Sequence, residues 1–327
     1  MKRILPYEIP EGETYQSVGF LLGIVKSYQR VRNYYYNKYI NVQCNRTLKI
    51  ENVLINFTEC FWGDMWQDGI AELDLYHFDT LNKKNFLKFL EERIEQENYI
   101  LLYNVDEYYL SYTNMYKKKH NVHDTYIYGY DDDNFFISAY EGGKLRKLTA
   151  RKKEIVECVY KTKSDKIKDF CTFRIHPAAR VDIDLSTIKR EMENYINGVS
   201  RVEDDTVNAY GSNVLLVIIE CLNELSSKKK VENKIDLRPF RFIWEHKKIM
   251  FERVNALKKV CCMDDYICDM IQVVMEDTYR AFLIMQKYGA SSTRSTDALT
   301  KVSAIYKDVL SKEKEIYTGI IELLSVH

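Results

Sequence analysis

Proline and glycine are scarce in this chain, with 4 and 12 among 327 residues. That excludes collagen-like repeats and long Gly/Pro-rich linkers. Charge of either sign is not in excess: Lys+Arg and Asp+Glu both number 48. The basic footprint of a nucleic-acid binder is therefore missing, and no nucleic-acid partner is expected. Long apolar runs are missing too. VGFLLGIV and NVLLVIIECL are far too short to span a bilayer, so no membrane partner is expected. The opening MKRILPYEIPEG has no apolar core of a secretory signal, and the expected location is cytoplasmic. The 8 Cys include no CxxC pair, which argues against a disulfide framework. Cys261, Cys262 and Cys268 share a helical stretch but lack paired zinc-ligand spacing. DDDN at 131–134 lacks EF-hand spacing, and WEHKKIMFER at 244–253 is not H-E-x-x-H. No metal and no cofactor are expected.

What is present is ample apolar material: 46% of residues are hydrophobic, enough for a full core. TYQSVGFLLGIVKSY (14–28) reads as a helix, with Thr14 placed to cap it. It is apolar nearly all round, so it should be buried at the centre of its domain. Gly19 and Gly23, four apart, allow a close backbone approach on one face. NYYYNKYINVQ (33–43) reads as a short helix or turn on the surface of that core, ENVLINF (51–57) is ambiguous between strand and helix, and CFWGDMWQDG (60–69) reads as a loop. NKKNFLKFLEERIEQEN (82–98) is amphipathic, with Asn82 as its N-cap. YILLYNVDEYYL (99–110) is a buried-strand run, and KLRKLT (144–149) adds a strand before a helix at 150–162. After residue 184 only helical periodicity is found. The pattern predicts an α+β fold: a mixed domain over 1–184, then an all-helical bundle over 185–327. The charged residues of WEHKKIMFER read as a solvated face or as contacts between the bundle and the mixed domain, and the KKK runs at 117–119 and 228–230 as solvated or as contacts to acidic partner helices.

Residues 120–140, HNVHDTYIYGYDDDNFFISAY, form a predicted hairpin: one strand, an Asp/Asn turn, then a second strand. A histidine, His123, opens the first strand; His120, on the polar lead-in, reads as solvated. The order of buried helix, connecting helices and His-headed strand resembles the papain-like fold in its C39-like form. H-D-x-x-I-Y-G-Y-D-D, a later Y-G, D-L-R-P-F, W-E-H-K-x-x-M and Arg253 narrow the resemblance. Together they resemble the butirosin-biosynthesis acyltransferase N-terminal-domain family, which includes a papain-like enzyme that forms amide bonds in closthioamide assembly.

That resemblance implies a central buried helix against an antiparallel sheet. It also implies acyl or peptidyl transfer from a carrier-protein thioester to an amine, in peptide-type secondary-metabolite biosynthesis. The implied partners are an acyl or peptidyl carrier protein and an amine acceptor, with a homodimer as a further possibility. In such a site a cysteine at the helix start attacks, a histidine acts as base, and a third residue orients the histidine. His123 matches the base. The nucleophile position falls at Gln16 or Ser17, and neither is cysteine. The orienting position falls at Ala139, which has no polar side chain. Cys44, preceded by Gln43, is the other candidate nucleophile. Two function classes follow: an acyltransferase with an altered triad built on His123 with Ser17 or Cys44, or an inactive scaffold that binds a carrier protein. Thioester or peptide hydrolysis would use the same site with water as acceptor.

Overall fold

The computed structural model describes residues 2–45, 54–58, 61–161, 169–200, 209–227, 235–291 and 295–326. In chain order the elements are β1 (Arg3–Ile4), α1 (Gln16–Ser27), α2 (Arg32–Asn37), β2 (Val42–Cys44), β3 (Ile55–Phe57), α3 (Phe61–Gln67), β4 (Ala71–His77), α4 (Lys83–Glu95), β5 (Tyr99–Asp106), β6 (Val122–Tyr130), β7 (Asn134–Glu141), β8 (Lys144–Arg151), α5 (Lys152–Tyr160), β9 (Asp169–Ile175), α6 (Leu185–Asn197), β10 (Ala209–Tyr210), α7 (Asn213–Ser227), α8 (Arg238–Leu257), α9 (Asp265–Ala290) and α10 (Thr296–Leu324). The fold is α+β, and its elements divide into two compact units, Met1–Arg32 with Phe61–Val181, and Asn33–Cys60 with Asp182–His327. No helix among the described residues is long and apolar enough to cross a membrane.

The first unit is built on a 7-stranded antiparallel sheet of order β4-β9-β5-β6-β7-β8, with β1 also paired to β6. α1 covers one face. Its Phe20, fully buried, stacks on Tyr126 of β6 with centroids 4.6 Å apart. Burial of one such ring contributes about 1.5–3 kcal/mol. The close approach expected at the paired glycines is real: a Cβ on Gly23 would stand 2.2 Å from the carbonyl oxygen of Glu8. The N-cap is Tyr15, which makes no side-chain capping bond, and not Thr14. α4 covers the opposite face, where Phe86 and Phe89 meet the Phe170 ring of β9 edge-on. Asn82 caps α4 as expected, accepting from Lys84 N–H at 2.9 Å. The hairpin turns on Asp131, whose Oδ1 accepts from the N–H groups of Asp133 at 3.0 Å and Asn134 at 2.8 Å. An antiparallel sheet with a buried helix on one face agrees with a papain-like arrangement. β4 lies where no strand is expected, α3 stands where a loop is expected, and β10 is a strand in a stretch expected to be helical.

The second unit joins α6 to α10 with a 3-stranded sheet of order β10-β2-β3. Asp184 caps α6 through Thr187 N–H at 2.9 Å, and Gly198, at φ 63°, ends it in the left-handed conformation. Pro239 lies in the first turn of α8, where its missing N–H leaves nothing unpaired. The 33–43 stretch is not a surface element. Tyr34, Tyr35 and Tyr39 are buried, and the segment groups with the helical unit. Arg253 of α8 explains why. It is fully buried, and its guanidinium donates to the carbonyls of Tyr36 at 2.7 Å and Tyr39 at 3.3 Å, and also to that of Lys38. Those carbonyls lie at the C-terminal end of α2, where a cation is favoured. The other charges of WEHKKIMFER also correct the solvated reading: Glu245, His246 and Lys247 are all buried. Each has an internal partner, which a one-dimensional pattern does not reveal. The run at 228–230 lies outside the described residues.

Candidate active site

The start of α1 meets the sheet where β6 and β7 part. Tyr126↔Ser138 is the last pair of their ladder at this end. Beyond it the two strands are joined by a side chain. Gln16, the first residue of α1 and buried, donates from Nε2 to the carbonyl of Asp124 at 3.1 Å and to that of Ser138 at 3.2 Å. Two backbone acceptors fix the amide with its NH2 toward the strands. Its Oε1, also buried, accepts no hydrogen bond among the described residues. Of the two positions at which the resemblance puts a nucleophile, Gln16 and Ser17, the first is therefore held by an amide that stitches two strands together. An amide nitrogen is neither a nucleophile nor a base at neutral pH.

Strand alternation then decides what faces this helix. Tyr126 faces α1 through its stack on Phe20, and Ser138 faces the same side, its Oγ 2.7 Å from Tyr7 Oη. Asp124 shares that face by period two: its Oδ2 accepts from Tyr126 Oη at 3.3 Å and its Oδ1 from Asn104 N–H at 3.0 Å. His123 and Thr125 belong to the opposite face. Thr125 Oγ1 lies 3.1 Å from Tyr112 Oη, and His123 is half-exposed with Glu107 as its partner at 4.0 Å, beyond hydrogen-bond reach. Ala139, next to Ser138, is buried and offers His123 no orienting group.

Neither candidate nucleophile hydrogen-bonds to His123 among the described residues. Ser17 is half-buried in the first turn of α1, on the sheet face opposite to that of His123. Cys44 is buried in β2 of the second unit, opposite Ile55 and Ala209. A thiol other than Cys44 does lie on the α1 side of the sheet. Cys171 of β9 faces Leu101, with Sγ 3.2 Å from Tyr103 Oη. Burial pushes its thiol up to about 12, so it is no thiolate at neutral pH.

A better-oriented imidazole was missed. His120, expected to be solvated, places Nδ1 2.6 Å from Oδ2 of the buried Asp106 and stacks on Tyr108 at 4.3 Å. Its ring is half-exposed, so Asp106 fixes the orientation while the far edge of the ring meets solvent. The readable signal was the end of the β5 run. Asp106 pairs with Val122, which brings the lead-in to β6 beside it. Among the described residues, no cluster of His, Cys, Asp and Glu could hold a metal ion.

Residues 70–139 match the family described as Butirosin biosynthesis protein H, N-terminal. This is the family that the His123 motif resembles. The match runs from the start of β4 into β7, under a quarter of the chain. It contains Asp106, His120 and His123, and neither α1 nor Cys44. No curated protein matches the chain.

Proposed function

We propose that the protein serves peptide-type secondary-metabolite biosynthesis as a non-catalytic, papain-like relative of acyltransferases, a scaffold that binds an acyl or peptidyl carrier protein. The family match supports the biosynthetic setting. The observation that carries the non-catalytic reading is Gln16, bridging Asp124 and Ser138 at one of the two positions, with Ser17, that a nucleophile would take. A thioester carbonyl attacked there would find no thiol, and His123 lies on the other side of the sheet from the helix start. The test is calorimetric titration of acylated carrier proteins into the wild type and into His123→Ala. The scaffold reading expects equal affinities, because His123 is a half-exposed side chain without a reacting partner. A wild type that binds no carrier protein would contradict it.

A second reading keeps the chemistry: acyl or peptidyl transfer from a carrier thioester to an amine, with His123 as base and Ser17 or Cys44 as nucleophile. It is favoured by one observation, that the matched stretch contains His123 at the head of its hairpin. It requires single-turnover amide formation that disappears in His123→Ala.

A further inference from the structure

The second unit holds a cavity of about 360 Å³ lined by α6, α7 and α10 and built over a buried polar network. Lys247 Nζ lies 2.6 Å from Glu313 Oε1, donates to Tyr195 Oη at 2.8 Å and meets His246 Nδ1 at 3.0 Å. Tyr195 Oη donates to Glu313 Oε2 at 3.0 Å, and Tyr317 Oη donates to Oε1 at 3.0 Å. His246 Nε2 is 2.8 Å from the carbonyl of Ile40, which makes that nitrogen the protonated one and leaves Nδ1 to accept from Lys247. Lys247, Glu313, Tyr195 and Tyr317 are all buried. Tyr195, Glu313 and Tyr317 line the cavity, while Ile196, Leu216 and Leu310 form its apolar walls.

A buried ion pair is a poor stabiliser compared with apolar packing of the same volume. Its place at the floor of a ligand-sized cavity points to recognition. Counting lone pairs shows what is left to offer. Lys247 uses its three N–H donors on Glu313, Tyr195 and His246. Glu313 Oε1 takes two donors, whereas Oε2 takes one and keeps an acceptor position open. Tyr317 Oη likewise keeps its acceptor positions. The Lys247–Glu313 pair neutralises itself, so a charged ligand group at the floor would sit uncompensated in a buried site. We infer that this cavity binds a small neutral molecule with an apolar body and one O–H or N–H donor, the donor directed to Glu313 Oε2. The inference does not depend on the carrier-protein reading, which concerns the other unit.

The test uses ligand-observed saturation-transfer NMR on the full chain with p-cresol, toluene, benzylamine and benzoate at pH 7. The expected order is p-cresol tightest, toluene about tenfold weaker for want of the donor, and the two ions without signal. Leu216, half-exposed at the wall, is the variant that leaves the network untouched. Leu216→Trp should abolish the p-cresol signal with an unchanged melting temperature. Tyr317→Phe should keep it, because the acceptor on Glu313 remains. A p-cresol signal that survives Leu216→Trp, no p-cresol signal in the wild type, or tighter binding of either ion would overturn the inference.

Discussion

The two units treat their polar side chains in opposite ways. In the first, the residues that a papain-like site would need are split across a sheet: Gln16 is tied to backbone on one face, and His123 stands half-exposed on the other. In the second, Lys247, Glu313, Tyr195, Tyr317 and His246 converge within hydrogen-bond distance, deep in the unit. In the unit carrying the His123 motif, neither Ser17 nor Cys44 hydrogen-bonds to His123 among the described residues, and the imidazole held by a carboxylate is His120, on Asp106. The second unit, which carries the W-E-H-K-x-x-M part of the resemblance, has a connected ionisable cluster beside a cavity. A motif marks descent, whereas burial and mutual partnering mark where free energy is committed.

That contrast can be tested by removing one group at a time. The largest effect is expected for Lys247→Met, which leaves Glu313 buried without its cation and should destabilise by about 3–5 kcal/mol in urea unfolding. Lys247→Met with Glu313→Leu should recover most of that loss, because both charges leave together. Gly23→Ala should cost about 1–3 kcal/mol, since the new methyl meets the Glu8 carbonyl at 2.2 Å.

The pH dependence should also belong to the second unit. Burial, then the neighbouring Lys247, holds His246 well below its ordinary value of 6.5. Below that value the unfolded chain binds a proton that the folded chain does not. Stability should therefore fall as pH drops through the unfolded value, by up to about 1.4 kcal/mol per pH unit from this one group. The slope between pH 6 and 5 should be shallower in His246→Gln, as read by denaturant midpoints.

The remaining substitutions in the first unit should cost no more than Gly23→Ala. Gln16→Leu loses two bonds to strand carbonyls and should cost about 1–3 kcal/mol. His123→Ala should stay within about 0.5 kcal/mol, the ordinary range for an exposed side chain without a network. A large loss on His123→Ala would remove the contrast between the units.

The sequence carried the elements well and the site poorly, for physical reasons. α1, α4, the β6–β7 hairpin and the helices after 184 are legible because period and capping are local properties: Asn82 and the turn at Asp131 do what their side chains do in any chain. β4, AELDLYH, was legible too, since Ala71, Leu73 and Leu75 alternate with Glu72 and Asp74. The burial of Tyr35 and Tyr39 was missed because the group that holds their carbonyls, Arg253, is more than two hundred residues away in sequence. At the candidate site, His123 and the family were legible from H-D-x-x-I-Y-G-Y-D-D. Which face His123 takes was not, since that depends on strand register and on which side α1 packs. The Asp106–His120 pair was hidden likewise, by the register of β5 against β6.

The central claim is that the α1 position is closed by Gln16 and forms no acyl-enzyme. It is tested most directly by intact-protein mass spectrometry after incubation with a panel of acyl thioesters, alongside Ser17→Ala, Cys44→Ala and His123→Ala. The account predicts an unchanged mass with every thioester, in the wild type and in all three variants. A gain of one acyl group that is lost in His123→Ala and in one nucleophile variant would contradict it.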